Sequence, residues 1–165
     1  MNAKTILDGL YALPLAEAVR SNDGLFPWIE SAHVIAATLV VGTVAIVDFR
    51  LLGIASRGRP VSELSGEVLP WTWTAFVLAV VSGSLMFISK APTYFDNTAF
   101  RLKMLFLALA GLNMLLFELV TYRSVKAWDR DAPAAGAARA AGFLSLALWI
   151  LVVASARWIG FTTEL

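Results

Sequence analysis

The chain holds one histidine, His33, three residues after a glutamate in the stretch Trp28-Ile29-Glu30-Ser31-Ala32-His33. On a helix, residues three apart share a face. Glu-x-x-His is the spacing by which helical bundles present a carboxylate and an imidazole to a metal. A di-metal centre needs a second copy, and this chain has none. A lone imidazole can still serve as an axial haem ligand, or relay protons, because its ordinary pKa is about 6.5. The plainer alternative is a buried histidine hydrogen-bonded to Glu30 or to a backbone carbonyl, since a neutral imidazole satisfies both ring nitrogens easily. With 0 cysteines, thiolate metal sites, iron–sulfur clusters, disulfides and cysteine nucleophiles are excluded.

The other candidate groups pair by spacing. His33 and Asp48 are 15 residues apart in one apolar stretch, and Lys103 and Glu118 repeat that interval in another. On a helix the interval is about 22 Å, most of a hydrocarbon core. Two polar layers follow if these stretches run side by side. The outer layer holds Glu30, His33, Lys103 and Arg157. The inner layer holds Asp48, Arg50, Glu118 and Arg123 and reads as a structural ion-pair network. Pairing lowers the cost of charge in a membrane, about 2.5–3.5 kcal/mol per group on insertion scales. Asn113, near mid-depth, is expected to hydrogen-bond a neighbouring helix. The uncharged residues between the layers argue against an ion conduit, which needs polar groups through its middle.

The elements that must position these residues are membrane spans. Hydrophobic residues make up 59% of the 165 and charged residues 15%, against about 45–50% and 25% in soluble domains, and the mean hydropathy is +0.74. Four segments are long and apolar enough to span, at about 28–54, 71–89, 100–122 and 140–159. Pro27 and Pro70 suit first helical turns. The connections "SRGRPVSELSGEVLP", "KAPTYFDNTA" and "RSVKAWDRDAPAAGAAR" are short and polar, which makes consecutive spans antiparallel. The expected fold is therefore all-α and integral to the membrane: one antiparallel four-helix transmembrane bundle occupying residues 1–165. Residues 3–20, with Ile6, Leu10 and Leu13 at helical spacing, are too charged to span and are expected to form an amphipathic interfacial helix.

Trp28 and Trp158 mark one membrane face, and Trp71, Trp73 and Tyr122 the other. Small residues at Ser82-Gly83-Ser84, Ala110-Gly111 and Ala140-Ala141-Gly142 allow close helix approach. The loops on the Trp71 face carry Arg57, Arg59, Arg123, Lys126, Arg130 and Arg139, against Lys4, Arg20, Lys90 and Arg101 opposite. That excess places the Trp71 face in the cytoplasm and both termini on the periplasmic side. The net charge of +1 gives no reason to expect a nucleic-acid partner. The lipid bilayer is the expected surrounding, with a larger membrane complex or a homo-oligomer as candidate assemblies.

The stretches "LFPWIESAHVIAATLVVGTVAIVDFRLLG", "LPWTWTAFVLAVVSG" and "AFRLKMLFLALAGLNMLLFE" resemble a family of small, uncharacterised four-span bacterial membrane proteins. The resemblance implies an inner-membrane location and supplies no activity. More distantly, Trp28, His33, Gly42, Arg50 and Leu51 are similar to a helix shared by the membrane-bound protoporphyrinogen oxidase of haem synthesis and the copper-resistance D-type membrane proteins. Lys103 matches a functional lysine of that oxidase. This likeness implies a b-type haem, with copper as the second candidate, although the second histidine it leads one to expect near the end of the first span is absent. On this reading His33 is the axial ligand, Lys103 a second ligand or propionate partner, Arg157 a propionate partner, and Glu30 the group that orients His33 or carries protons. The contrasting expectation is a non-catalytic accessory subunit whose charged layers only lock the bundle.

Overall fold

Hydrocarbon offers no partner to a backbone N–H or C=O, so an apolar segment in a membrane closes its hydrogen bonds within a helix. The computed structural model describes residues 2–122, 125, 129, 134 and 136–163. The order is α1 (Ala3–Tyr11), α2 (Pro14–Ser21), α3 (Leu25–Leu52), α4 (Val61–Ser89), α5 (Ala91–Asp96), α6 (Thr98–Leu116), a π-helical turn (Phe117–Thr121) and α7 (Gly136–Thr163). Helices α3, α4, α6 with its π turn, and α7 are the four candidate spans, packed antiparallel.

The boundaries differ from expectation where local chemistry overrides a simple proline rule. The second span begins at Val61 rather than Trp71, with Pro70 inside it. An internal proline removes one hydrogen bond and crowds the carbonyl four residues back. The residues ahead of it stay helical because Val61, Leu64 and Ser65 are buried. The start of α4 is also capped from elsewhere: Asp129 accepts from the Ser62 amide at 3.0 Å and from the Ser62 hydroxyl. The connection 90–99 contains α5. The N-terminal segment is two helices, because Pro14 holds Leu13 extended at φ −61°, ψ 139°. The first and fourth spans start three and four residues earlier than expected.

Helix α3 ends in a Schellman motif. Gly53 adopts φ 70°, and the amides of Gly53 and Ile54 donate to Arg50 O and Phe49 O at 3.1 and 2.9 Å. Asn97 caps α6 by accepting from the Phe100 amide at 3.0 Å, and its Nδ2 donates to Thr162 Oγ1 of α7 at 2.8 Å. Arg20 fastens the N-terminal pair to the bundle. It donates to Tyr11 O at 2.7 Å, to Ser89 O at 3.3 Å and to Glu17.

In order of packing the spans run α4, α3, α7, α6. Phe87 of α4 stacks on Phe100 of α6, centroids 5.4 Å apart, at the His33 end. A buried core of Leu51, Val61, Val125, Ala134 and Ala138 forms at the Asp48 end, with Val47, Phe117 and Tyr122 packed on it. Along the spans, residues such as Leu105, Leu109, Leu112 and Leu116 are exposed, as lipid-facing side chains must be. Trp28 and Trp71, 77% and 73% exposed, stand at opposite ends.

Candidate functional site

His33 is half-buried on α3 and faces α4. Its Nδ1 donates to the Ala79 carbonyl at 3.0 Å and lies 3.1 Å from Ser82 Oγ. A carbonyl can only accept, so the proton sits on Nδ1. The Ser82 hydroxyl is already given to Leu78 O at 2.7 Å, which leaves its oxygen free to share the Nδ1 proton. The imidazole is thereby held in the tautomer whose Nε2 keeps its lone pair. Nε2 makes no hydrogen bond among the described residues. Gly83 makes room for the ring, since a Cβ there would stand 2.9 Å from Cε1. The Ser82-Gly83-Ser84 cluster therefore admits a side chain as well as a helix.

Lys103 is half-buried on α6, close enough for its charge to act on His33. Glu30 is exposed, and the Tyr94 phenol of α5 is pushed above its ordinary value first by burial and then by the Glu30 charge. Arg157 is exposed, with its guanidinium 4.8 Å from the Phe161 ring centroid one turn along α7. No ion pair joins Glu30, Lys103 or Arg157 to another described residue. Among the described residues no three His, Cys, Asp or Glu side chains gather to hold a metal ion.

At the other end Asp48 and Arg50 are buried, 5% and 4% exposed, but they do not pair with each other. Arg50 donates to the carbonyls of Arg59 and Asp129 at 2.6 and 3.1 Å. It ties together the two loops at this end. Ser145 of α7 is the polar neighbour of the Asp48 carboxyl, and Asp48 Oδ2 has no hydrogen-bond partner. Glu118 is exposed on the π turn, and its charge falls on Tyr122, whose phenol is raised by burial and then by Glu118 and Asp129. Arg123 lies outside the described residues. Among the described residues no ion pair joins Asp48, Arg50 and Glu118; Arg50 clamps two loops and Asp48 has Ser145 beside it. Asn113 donates from Nδ2 to the Ala141 carbonyl at 3.0 Å, joining α6 to α7.

Asp129, Ser145 and Gly83 were missed as site residues. Asp129 sits in a polar loop of no distinctive spacing, and nothing in the sequence says which helix end it will meet.

Four apolar antiparallel spans define a multi-pass membrane protein in contact with lipid. The chain belongs to a family of unknown function, DUF6644, which matches residues 20–162, from the end of α2 through all four spans. No curated protein and no solved structure matches the chain.

Proposed function

We propose that the protein is a membrane redox-type protein that holds a b-type haem, or a similar cofactor, on Nε2 of His33. The observation that carries this reading is the hydrogen bond from His33 Nδ1 to Ala79 O at 3.0 Å. Ligating histidines characteristically give their other N–H to a carbonyl or carboxylate, which fixes the tautomer and makes the ligating nitrogen more basic. Lys103 supports it as the cationic neighbour suited to a propionate, or as a second ligand. Among the described residues no hydrogen bond or ion pair joins Glu30 or Arg157 to His33. Copper is the weaker candidate because its usual sites need several donors, and among the described residues no three His, Cys, Asp or Glu side chains gather. When bound, a haem would supply one-electron chemistry. The chain's own part would be to orient the imidazole, place a positive charge beside it, and surround both with apolar helix.

A bacterial inner membrane, with the Asp48 end in the cytoplasm, suits the arginine-rich loops at that end. The test is an absorption spectrum, oxidised and reduced, of protein purified from cells with normal haem supply. A Soret band that disappears in His33→Ala supports the proposal, and wild-type protein without such a band overturns it.

A second reading has its own observation. Every contact that holds His33 runs between α3 and α4, through Ala79, Ser82 and Gly83. A histidine used only to lock two spans suits a non-catalytic subunit of a larger membrane complex or homo-oligomer. That reading expects co-purification with a partner, and normal function in a His33 variant that still folds.

A further inference from the structure

We propose that Asp48 is a reversible proton-binding site inside the bilayer, and that its bound proton holds α3 against α7. Asp48 lies four residues before Leu52, the last residue of α3, and is 5% exposed. Its Oδ2 atom has no hydrogen-bond partner. Ser145 of α7 is its polar neighbour, and no ion pair joins it to another described residue. Arg50, two residues on, is committed to the Arg59 and Asp129 carbonyls at 2.6 and 3.1 Å. The helices packed on α3 are α2, α4 and α7, and their charges are engaged elsewhere or exposed. Glu17 pairs with Arg20, Glu63 and Glu67 pair with Arg59, Arg139 is exposed, and Arg157 lies over Phe161.

An ionised carboxylate at this place would hold a full charge with no cation and an incomplete set of donors, which is costly. A bound proton removes the charge and leaves a neutral carboxyl, far cheaper to bury. Water, the other source of relief, is shut out while the helices touch. Gly142 of α7 sits directly against Asp48: a Cβ there would stand 3.3 Å from Asp48 O and 3.6 Å from its Cα. No layer of solvent fits between backbones that close.

Loss of the proton to water would therefore leave a bare negative charge in a dry contact. Hydration requires α3 and α7 to part at the nearby end of α3, about 6 Å along the helix from Asp48, where the polar loop begins. The closed contact binds the proton more tightly than the parted state, so acid favours contact and rising pH opens the seam. The site is independent of any cofactor on His33.

The test uses the full chain in zwitterionic lipid nanodiscs. Because the chain has 0 cysteines, spin labels can be placed singly at Phe49→Cys on α3 and Phe143→Cys on α7, both exposed. Pulsed EPR measures their separation across a pH series from mildly acid to alkaline. Infrared spectra of the unlabelled chain over the same series follow the C=O stretch of the neutral carboxyl, assigned to Asp48 by its loss in Asp48→Asn. The band should fade and the separation widen together as pH rises. Asp48→Asn, uncharged at every pH, should keep the short separation throughout. A band or a separation that stays unchanged across the series in the wild-type chain overturns the proposal. The same widening in folded Asp48→Asn also overturns it. If Asp48→Asn does not fold, Ser145→Ala decides the matter. Without the hydroxyl donor the carboxylate is harder to form, so both transitions should move to higher pH by about one unit or more, the scale of a lost hydrogen bond to a charged group. Transitions that do not move overturn the proposal.

Discussion

The ring of His33 and the backbone of Gly83 fit with no room for a methyl group: a Cβ on Gly83 would stand 2.9 Å from Cε1 and 3.3 Å from Nδ1. Gly83→Ala therefore forces the imidazole or the α3–α4 seam to move. Overpacking of this kind costs about 1–3 kcal/mol. Thermal unfolding in detergent should show a lower midpoint, and the proposed Soret band should weaken with it. An unchanged midpoint would mean that the ring is free to swing aside.

The second close approach, at Gly142, is less forgiving because one neighbour is backbone. A Cβ there would lie 3.2 Å from Leu51 Cβ and 3.3 Å from Asp48 O. Gly142→Ala is expected to destabilise by about 1–3 kcal/mol. Gly111 on α6 has nothing within 4 Å of the same position. Gly111→Ala is expected to be neutral or to stabilise by about 0.5–1 kcal/mol through helix propensity. Equal effects at the two glycines in a denaturant titration would contradict the tight α3–α7 contact.

Asp129 binds the start of α4 from the loop before α7, and Asp129→Ala should cost about 0.5–2 kcal/mol, the range for loss of a helix N-cap. Its effect depends on pH. Burial alone would raise this carboxyl, but the Ser62 hydroxyl, the Ser62 and Val61 amides and the Arg50 charge outweigh burial and hold it below its ordinary value. A depressed carboxyl contributes stability that is fully present above its unfolded value, about pH 4, and fades as pH falls through the lower folded value. Wild type and Asp129→Ala should therefore differ most near neutral pH and converge in acid, as read from unfolding midpoints across a pH series.

Asn113 gives a case in which shape is nearly kept and one bond removed. Asn113→Leu deletes the donor to Ala141 O. An interhelical hydrogen bond in a membrane is worth about 0.6–2 kcal/mol, and the stranded carbonyl still has its own helical partner. The expected outcome is a loss in that range without a change of helix content by circular dichroism. A larger loss would point to a packing role for the amide.

The four spans and their antiparallel order were readable from residue order. Hydropathy sums along a segment, and helical rise converts residue number into depth. The same arithmetic could not set rotation about each helix axis. The Glu30 charge acts on Tyr94 of α5, and the Arg157 guanidinium lies over Phe161, neither of which spacing announces. Proline rules placed the start of the second span at Trp71, just after Pro70, because a cap supplied by Asp129, 67 residues from Ser62, has no local signature.

What the sequence by itself determined is the solvent this protein folds in, because a run of apolar residues faces lipid whatever its neighbours do. The tertiary structure alone decided which polar groups found partners: His33 with Ala79, Arg50 with two loop carbonyls, and Asp48 left with an open oxygen. Those outcomes depend on which helix face meets which, and that is settled by side-chain fit between spans far apart in the chain.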